Sequence, residues 1–306
     1  MKGIHIMNLA QITNLNEEQA REYIEKIIWK KGAVCPHCGC KKVYKNKGKS
    51  ARNGLYDCSE CKKQFTVTVG TIMQGSHIKL RQWAMAFHLL CSSKKGMSSL
   101  QLQRNLGLGS YRTALFMTHR IRLAMSEQPV KDMLKGTVEV DESYFGGKPR
   151  YKGTSKTGRG TKKTPVLLMV ERNGRATSKR IMNVNGKTLK TAIRQTVDKS
   201  STIMTDEWKS YNGIGKHFEG GHEVVNHGRK EYFRNGATTN TAESYFAIMK
   251  RGIMGVYHSV SNQHLDRYCD EFSFRWNRRN ITDGERTDDA IKNAQGKRLV
   301  YSQAKV

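Results

Sequence analysis

The stretch Thr137-Val-Glu-Val-Asp-Glu-Ser-Tyr-Phe145 decides how the rest of the chain is read. Val138 and Val140 alternate with Glu139, and Gly146 and Gly147 follow, which predicts a short strand closed by glycine. A core strand normally spends its positions on apolar side chains, so a carboxylate at its far end, Asp141, calls for a chemical reason. Two later stretches supply one. Residues 201–211 are again an apolar run that ends in an acid, Asp206. Residues 239–252 have helical composition, with Glu243 near the start and Lys250 seven residues on, two turns along the same face. Two strand-end aspartates and a helix glutamate are three hard oxygen donors, the set that suits Mg²⁺. Two such ions can activate an attacking oxygen and stabilise a leaving one in phosphoryl transfer.

Charge indicates where that chemistry would act. The 306 residues contain 54 Lys and Arg against 26 Asp and Glu, a net charge of +28 spread along the chain. A folded protein this basic points to a polyanionic partner, nucleic acid above all. No run of 18 apolar residues predicts a membrane span, and the first residues lack a secretory pattern.

Seven cysteines include two Cys-x-x-Cys pairs, Cys35-Pro-His-Cys38 and Cys58-Ser-Glu-Cys61, separated by residues 39–57. This is the spacing of two knuckles that hold one tetrahedral Zn²⁺, and the short strands around them predict a zinc ribbon over 33–70. Cys40 lies close enough to compete as a ligand; His37 reads as a surface residue, and Cys91 and Cys269 as core thiols. Before the ribbon, 16–30 predicts a helix capped by Asn16, with Gln19 completing the box, inside an N-terminal segment 1–32.

After the ribbon, 71–128 reads as helical. Leu80, Trp83, Phe87 and Leu90 mark one helix. Two more begin at Ser98 and Ser110, separated by Gly107-Leu-Gly109. The pair is either a helix-turn-helix, with Arg112, Arg120 and Arg122 turned to DNA, or an ordinary helical hairpin; the ribbon and the charge favour DNA. A second domain is expected over 129–290 and a tail over 291–306. It opens on the Asp141 strand. A glycine-rich basic loop with Lys148, Arg150 and Lys152 follows, a solvated loop or a phosphate clamp. Strands at 165–171 and 179–184, a helix over 186–199, the Asp206 strand and the Glu243 helix complete an α/β order of ribonuclease-H-like type, a mixed sheet flanked by helices.

These residues resemble those of DDE-type insertion-sequence transposases that join a zinc ribbon and helix-turn-helix to a ribonuclease-H-like catalytic domain. The resemblance runs from Cys35 to Asn280. It is carried by Val138-Glu-Val-Asp-Glu-Ser-Tyr-Phe-Gly-Gly, Thr205-Asp-Glu, Val225-Asn-His, Thr239-Asn-Thr-Ala-Glu-Ser-Tyr-Phe, Lys250-Arg-Gly, Tyr257-His, Leu265-Asp-Arg-Tyr and Glu271-Phe-Ser-Phe-Arg-Trp-Asn-Arg-Arg. It implies Asp141 and Asp206 as the first two magnesium ligands. The third is Glu243, seven residues before Lys250, with Asn240 as the competing position; a carboxylate serves a hard cation better. Lys250 would meet substrate phosphate, and Asn240 and Arg251 would lie against DNA. The trio Glu271, Arg275 and Arg278 would brace the site or hold DNA backbone, and His227 and His258 are further candidates for DNA contact.

The resemblance thus implies an enzyme that binds transposon terminal inverted repeats, cleaves with two Mg²⁺ ions (Mn²⁺ as substitute), and joins the freed 3′-hydroxyl to target DNA. It also implies a structural Zn²⁺, a homodimer or larger synaptic complex, and a place in the bacterial cytoplasm at the nucleoid. The competing readings are a non-catalytic zinc-ribbon regulator and a ribonuclease-H-like nuclease without strand transfer.

Overall fold

The computed structural model describes residues 6–48, 51–127, 132–146, 163–225 and 238–304. Lys148, Arg150, Lys152 and His227 lie outside the described residues. The chain divides into two compact units, Met1–Met125 with Asn280–Val306, and Ser126–Arg279.

The first unit begins with helices α1 (Leu9–Thr13) and α2 (Glu17–Ile28). Asn16 caps α2 and Gln19 returns the bond to Asn16 N–H, the box expected from the sequence. Strands β1 (Val43–Lys45), β2 (Tyr56–Cys58) and β3 (Gln64–Phe65) form a small antiparallel sheet in that order. Trp29, Tyr56 and Phe65 pack beneath it, with ring centroids 5.2, 5.7 and 6.0 Å apart. Helices α3 (Leu80–Ser92), α4 (Ser99–Leu106) and α5 (Tyr111–Met125) follow. Ser98 caps α4 through Gln101 N–H, and Gly107 ends it in the left-handed conformation (φ 62°) that glycine adopts without strain.

In the second unit, β4 (Thr137–Phe145), β5 (Thr164–Glu171), β6 (Ala176–Arg180), β7 (Thr202–Asp206) and β8 (His222–Val225) form one sheet, ordered β6-β5-β4-β7-β8. The β6, β5 and β4 strands run antiparallel, whereas β4, β7 and β8 run parallel. Helix α6 (Gly186–Thr196) covers one face, where Leu189 and Ile193 meet Val138, Val140, Leu167 and Ile203. Helices α7 (Asn240–Gly252) and α8 (Leu265–Asn277) cover the other, where Tyr245, Phe246 and Phe272 meet Phe145, Val166, Leu168 and Val170. Each fully buried aliphatic or aromatic side chain contributes about 1.5–3 kcal/mol, so the sheet is stabilised from both sides. This is the mixed α/β sheet of a ribonuclease-H-like domain, preceded in the sequence by a small zinc-binding region.

Three details depart from the sequence reading. The strand expected at 179–184 lies earlier, at Ala176–Arg180, because a turn through Asn173 (φ 61°) returns the chain directly onto β5. Asp141 is not at the rim of its strand, since β4 continues to Phe145 beside β5. And α9 (Asp283–Lys292) belongs with the first unit, where Thr287 Oγ1 lies 3.1 Å from His88 Nδ1 and Arg286 Nη1 donates to Cys91 O at 3.2 Å. The last described element, α10 (Tyr301–Ala304), lies in the same unit against α5. Among the described residues no helix is long and apolar enough to cross a membrane.

Candidate functional site

The cysteines are simplest to place. Cys35, Cys38, Cys58 and Cys61 bring their sulfurs within 4.8 Å of one another, with Cys35–Cys61 and Cys38–Cys58 both at 3.6 Å. Tetrahedral zinc with bonds of about 2.3 Å sets sulfurs about 3.8 Å apart, so this donor set fits a structural Zn²⁺. The Cys61 N–H, then the Glu60 N–H, hold the Cys58 thiol down to about 6, towards the thiolate the metal needs. Cys40 stands outside the quartet and its sulfur accepts the Lys42 N–H at 3.2 Å. All seven cysteines are free thiols; Cys91 and Cys269 are buried, and His37 is exposed.

The acids are positioned by β4, β7 and α7. The parallel ladder pairs Val138 with Ile203 and Glu139 with Met204 and goes no further. Continuing that register by two residues on each strand sets Asp141 level with Asp206 and on the same side of the sheet, because side chains alternate along a strand. There β7 ends and one edge of β4 is released. Asp141 Oδ1 accepts the Glu142 N–H at 2.8 Å and Asp206 Oδ1 accepts the Trp208 N–H at 3.1 Å, so both carboxylates are oriented by backbone donors. Burial, then Glu142, Asp206 and Glu243, push the Asp141 carboxyl up to about 7, against the Glu142 hydrogen bond. That repulsion places Glu243 in the same electrostatic neighbourhood as the two aspartates.

Glu243 lies in the first turn of α7 and is exposed, as is Lys250 farther along that helix. Asn240 and Arg251 are exposed at the two ends of α7; the Asn240 N–H donates to Thr238 Oγ1 and the Arg251 Nε to Ala247 O. Among the described residues the four cysteines are the one group of three or more ligand side chains close enough to hold a metal ion as they stand.

Glu139 and Tyr211 escaped the sequence reading. Glu139, fully buried, accepts the Thr241 N–H at 2.9 Å, the Thr241 hydroxyl at 3.0 Å and the Ala242 N–H at 3.1 Å, and pairs with Arg172 at 3.4 Å. It caps α7 from the neighbouring strand, where the helix's own Thr239 makes no side-chain cap. On the opposite face, the buried Tyr211 hydroxyl donates to Glu142, and burial followed by that carboxylate raises the phenol far above its ordinary range. One signal was available: a strand covered on both faces gives Glu139 no water, so its carboxylate needs donors from a neighbouring element.

The arginines divide. Arg112 is exposed at the start of α5. Arg120 and Arg122, expected on a DNA-facing surface, are buried, at 8% and 1% exposure, because α3, α4, α9 and α10 all pack on α5. Arg122 Nη1 donates to Thr118 Oγ1 at 3.2 Å, and Arg120 Nη2 to Gln74 O at 3.1 Å. Arg275 is likewise internal: Nη1 donates to the fully buried Glu271 at 2.5 Å, and the guanidinium lies over Phe272. The Tyr257 hydroxyl donates to the same Glu271 oxygen at 2.5 Å. Arg278 pairs with Glu127 at 2.5 Å over the ring of Phe274. Glu271 and Arg275 thus form an i,i+4 ion pair, buried rather than at the surface, and Arg278 pairs outside it with Glu127. His258 is exposed, with φ 59° directly after a π-helical turn.

A ribonuclease-H-like sheet with acids gathered where two parallel strands part, in a chain that also holds a four-cysteine ribbon, is the build of a DNA transposase. Comparison with known proteins agrees: residues 133–277 match the ISXO2-like transposase domain and residues 15–64 the transposase zinc-ribbon domain. Both matched segments are thus similar to the domains of insertion-sequence transposases. The chain is also 25% identical, over 278 residues, to an uncharacterized protein in transposable element ISH50 of Halobacterium salinarum; the match covers 86% of this chain and 92% of that one.

Proposed function

We propose that this protein is a transposase that binds the ends of its insertion sequence and performs metal-dependent strand cleavage and strand transfer. The observation that supports this most is the parallel ladder ending at Glu139 and Met204, whose register, continued by two residues, sets Asp141 level with Asp206, with Glu243 in the first turn of a helix tied to β4 by Glu139.

Asp141, Asp206 and Glu243 are the ligands in this reading, and their all-oxygen chemistry fits two Mg²⁺, with Mn²⁺ as substitute. A divalent ion held there lowers the pKa of the attacking oxygen and stabilises the leaving one. The chain's own residues orient and shield: the Glu142 and Trp208 N–H groups fix the aspartates, and the Glu139 cap sets the start of α7. Lys250, on the exposed side of α7, meets the phosphate charge that grows in the transition state. Water opens a phosphodiester at the element's end, and the freed 3′-hydroxyl attacks a target phosphodiester in line. The second step exchanges one phosphodiester for another, so no nucleoside triphosphate is consumed. The ribbon and α4–α5 hold the end sequence, with Arg112, Asn240 and Arg251 as exposed contacts. Two ends must be joined together, which calls for a dimer or larger synaptic assembly.

The test is a cleavage and strand-transfer assay with purified protein, Mg²⁺ and a duplex carrying the inverted repeats that flank its gene. Joined products that vanish in Asp141→Asn and Asp206→Asn, with end binding retained, are the expected outcome. Nicking without joining would replace transposition by a nuclease activity. Binding without chemistry in Mg²⁺ or Mn²⁺ would leave a regulator.

A further inference from the structure

A cavity of about 400 Å³ opens in the first unit beside α5. Trp83, Phe116 and Tyr301 give it aromatic walls, and Arg112, Thr113 and Arg120 line it with donors. Among the described residues no carboxylate lines it.

Arg120 is the unusual member. It is buried, and its guanidinium lies 4.3 Å from the Phe116 ring centroid. Nη2 donates to Gln74 O at 3.1 Å, but among the described residues the buried Nε has no acceptor. Burial, then Arg298, lower its pKa, so its surroundings oppose the charge. A buried cation with no carboxylate partner and an idle donor costs stability, and such a cost is retained where a ligand completes the group. The ligand must be anionic to meet Arg120 and Arg112. It must also have a flat body to lie among aromatic rings. In a chain of net charge +28 with transposase-like domains, a nucleotide of DNA is the molecule with both properties.

We infer that this cavity captures one unstacked nucleotide of DNA, its phosphate on Arg120 and Arg112 and its base against the aromatic wall. Bases inside a duplex cannot enter a concave site, so the occupant comes from a frayed end, a distorted junction or a single strand. The inference rests on the reading that this unit binds DNA, and it adds that the unit does more than lay a helix in a groove.

The experiment uses the full chain with zinc bound and a 5′-labelled oligothymidylate carrying one 5-bromodeoxyuridine. Anisotropy gives affinity, and irradiation followed by peptide mapping gives the contact. Arg120→Met preserves volume and removes the charge. Thr113→Glu places a carboxylate at the half-buried rim, in the first turn of α5 where an acid suits the helix dipole, and serves if the Met variant fails to fold. The expected result is single-strand affinity reduced about tenfold in either variant, an unchanged or higher melting temperature for Arg120→Met, and crosslinks on peptides with Trp83, Phe116 or Tyr301. Undiminished affinity in both variants, or crosslinks confined to other peptides, overturns the inference. Failure of the unsubstituted protein to bind its inverted-repeat duplex as well would instead overturn the DNA-binding reading beneath it.

Discussion

Glu139 on β4 receives both the backbone N–H and the hydroxyl of Thr241, the second residue of α7, at 2.9 and 3.0 Å. A carboxylate two residues before Asp141 on the same face of the strand thereby anchors the helix whose first turn carries Glu243. The placement of the third acid of the proposed site relative to the first thus depends on a fully buried side chain outside the proposed ligand set.

Glu139→Gln keeps the shape and loses the charge. Charge-assisted hydrogen bonds to buried groups contribute about 1.5–3 kcal/mol each and are not additive, so a loss of about 2–4 kcal/mol is expected. Chemical denaturation measures it. Hydrogen exchange at Thr241 and Ala242 should rise more than in β5, and strand cleavage should fall while end binding persists. Unchanged exchange at these two amides would show that the cap does not hold α7.

Much of this site was legible in the sequence. The Asp141, Asp206 and Glu243 elements were each readable because chemistry-bearing residues interrupt apolar runs at definite places. The ribbon was legible because four thiols at that spacing have one common use. Burial of arginine was not. On α5 the apolar period is diluted by Arg120 and Arg122, whose long stems pack while their heads find Gln74 O and Thr118. A helix covered on several sides turns such residues inward, and which helices cover it depends on residues 280–306, distant in sequence. Glu139 was hidden for a related reason: alternation sets it opposite Val138 and Val140, and only the packing of α7 makes that face dry.

Arg275 separates bracing from DNA contact. It is buried and paired with the fully buried Glu271. Arg275→Met removes the cation from that buried carboxylate, which should cost about 3–5 kcal/mol. A phosphate-binding arginine would behave otherwise: its loss would reduce the salt dependence of DNA binding by about one charge and barely alter stability. The expected outcome is a large fall in denaturation midpoint with the salt slope unchanged. A reduced slope with intact stability would return Arg275 to the DNA surface.

His88 should make the first unit sensitive to acid. It is buried in α3 beside Thr287 and near Asp283 and Arg286, and burial lowers its pKa, with Arg286 lowering it and Asp283 raising it. The folded state therefore binds fewer protons than the unfolded chain, whose imidazole titrates near about 6.5. The contribution of the neutral ring is complete above that pH and is lost as pH falls through it towards the depressed folded value. Melting temperature across pH 5–8 should fall on the acid side, and His88→Asn should give a lower but flatter profile. An equal slope in both proteins would assign the acid sensitivity elsewhere.

Zinc content discriminates among the cysteines. Cys58 belongs to the quartet, and its thiol is already held down by backbone N–H donors; Cys40 is outside it with its sulfur on the Lys42 N–H. Because the three short strands bury little besides Trp29, Tyr56 and Phe65, the metal supplies much of the ribbon's folding free energy. Cys40→Ser should retain one zinc per chain and unsubstituted stability. Cys58→Ser should lose the metal at moderate chelator concentrations, expose the Trp29 environment to quencher, and weaken binding to the inverted-repeat duplex. The α7 amides around Glu139, in the other compact unit, should keep their exchange protection. Loss of zinc from Cys40→Ser with retention in Cys58→Ser would exchange the two ligands and overturn the quartet.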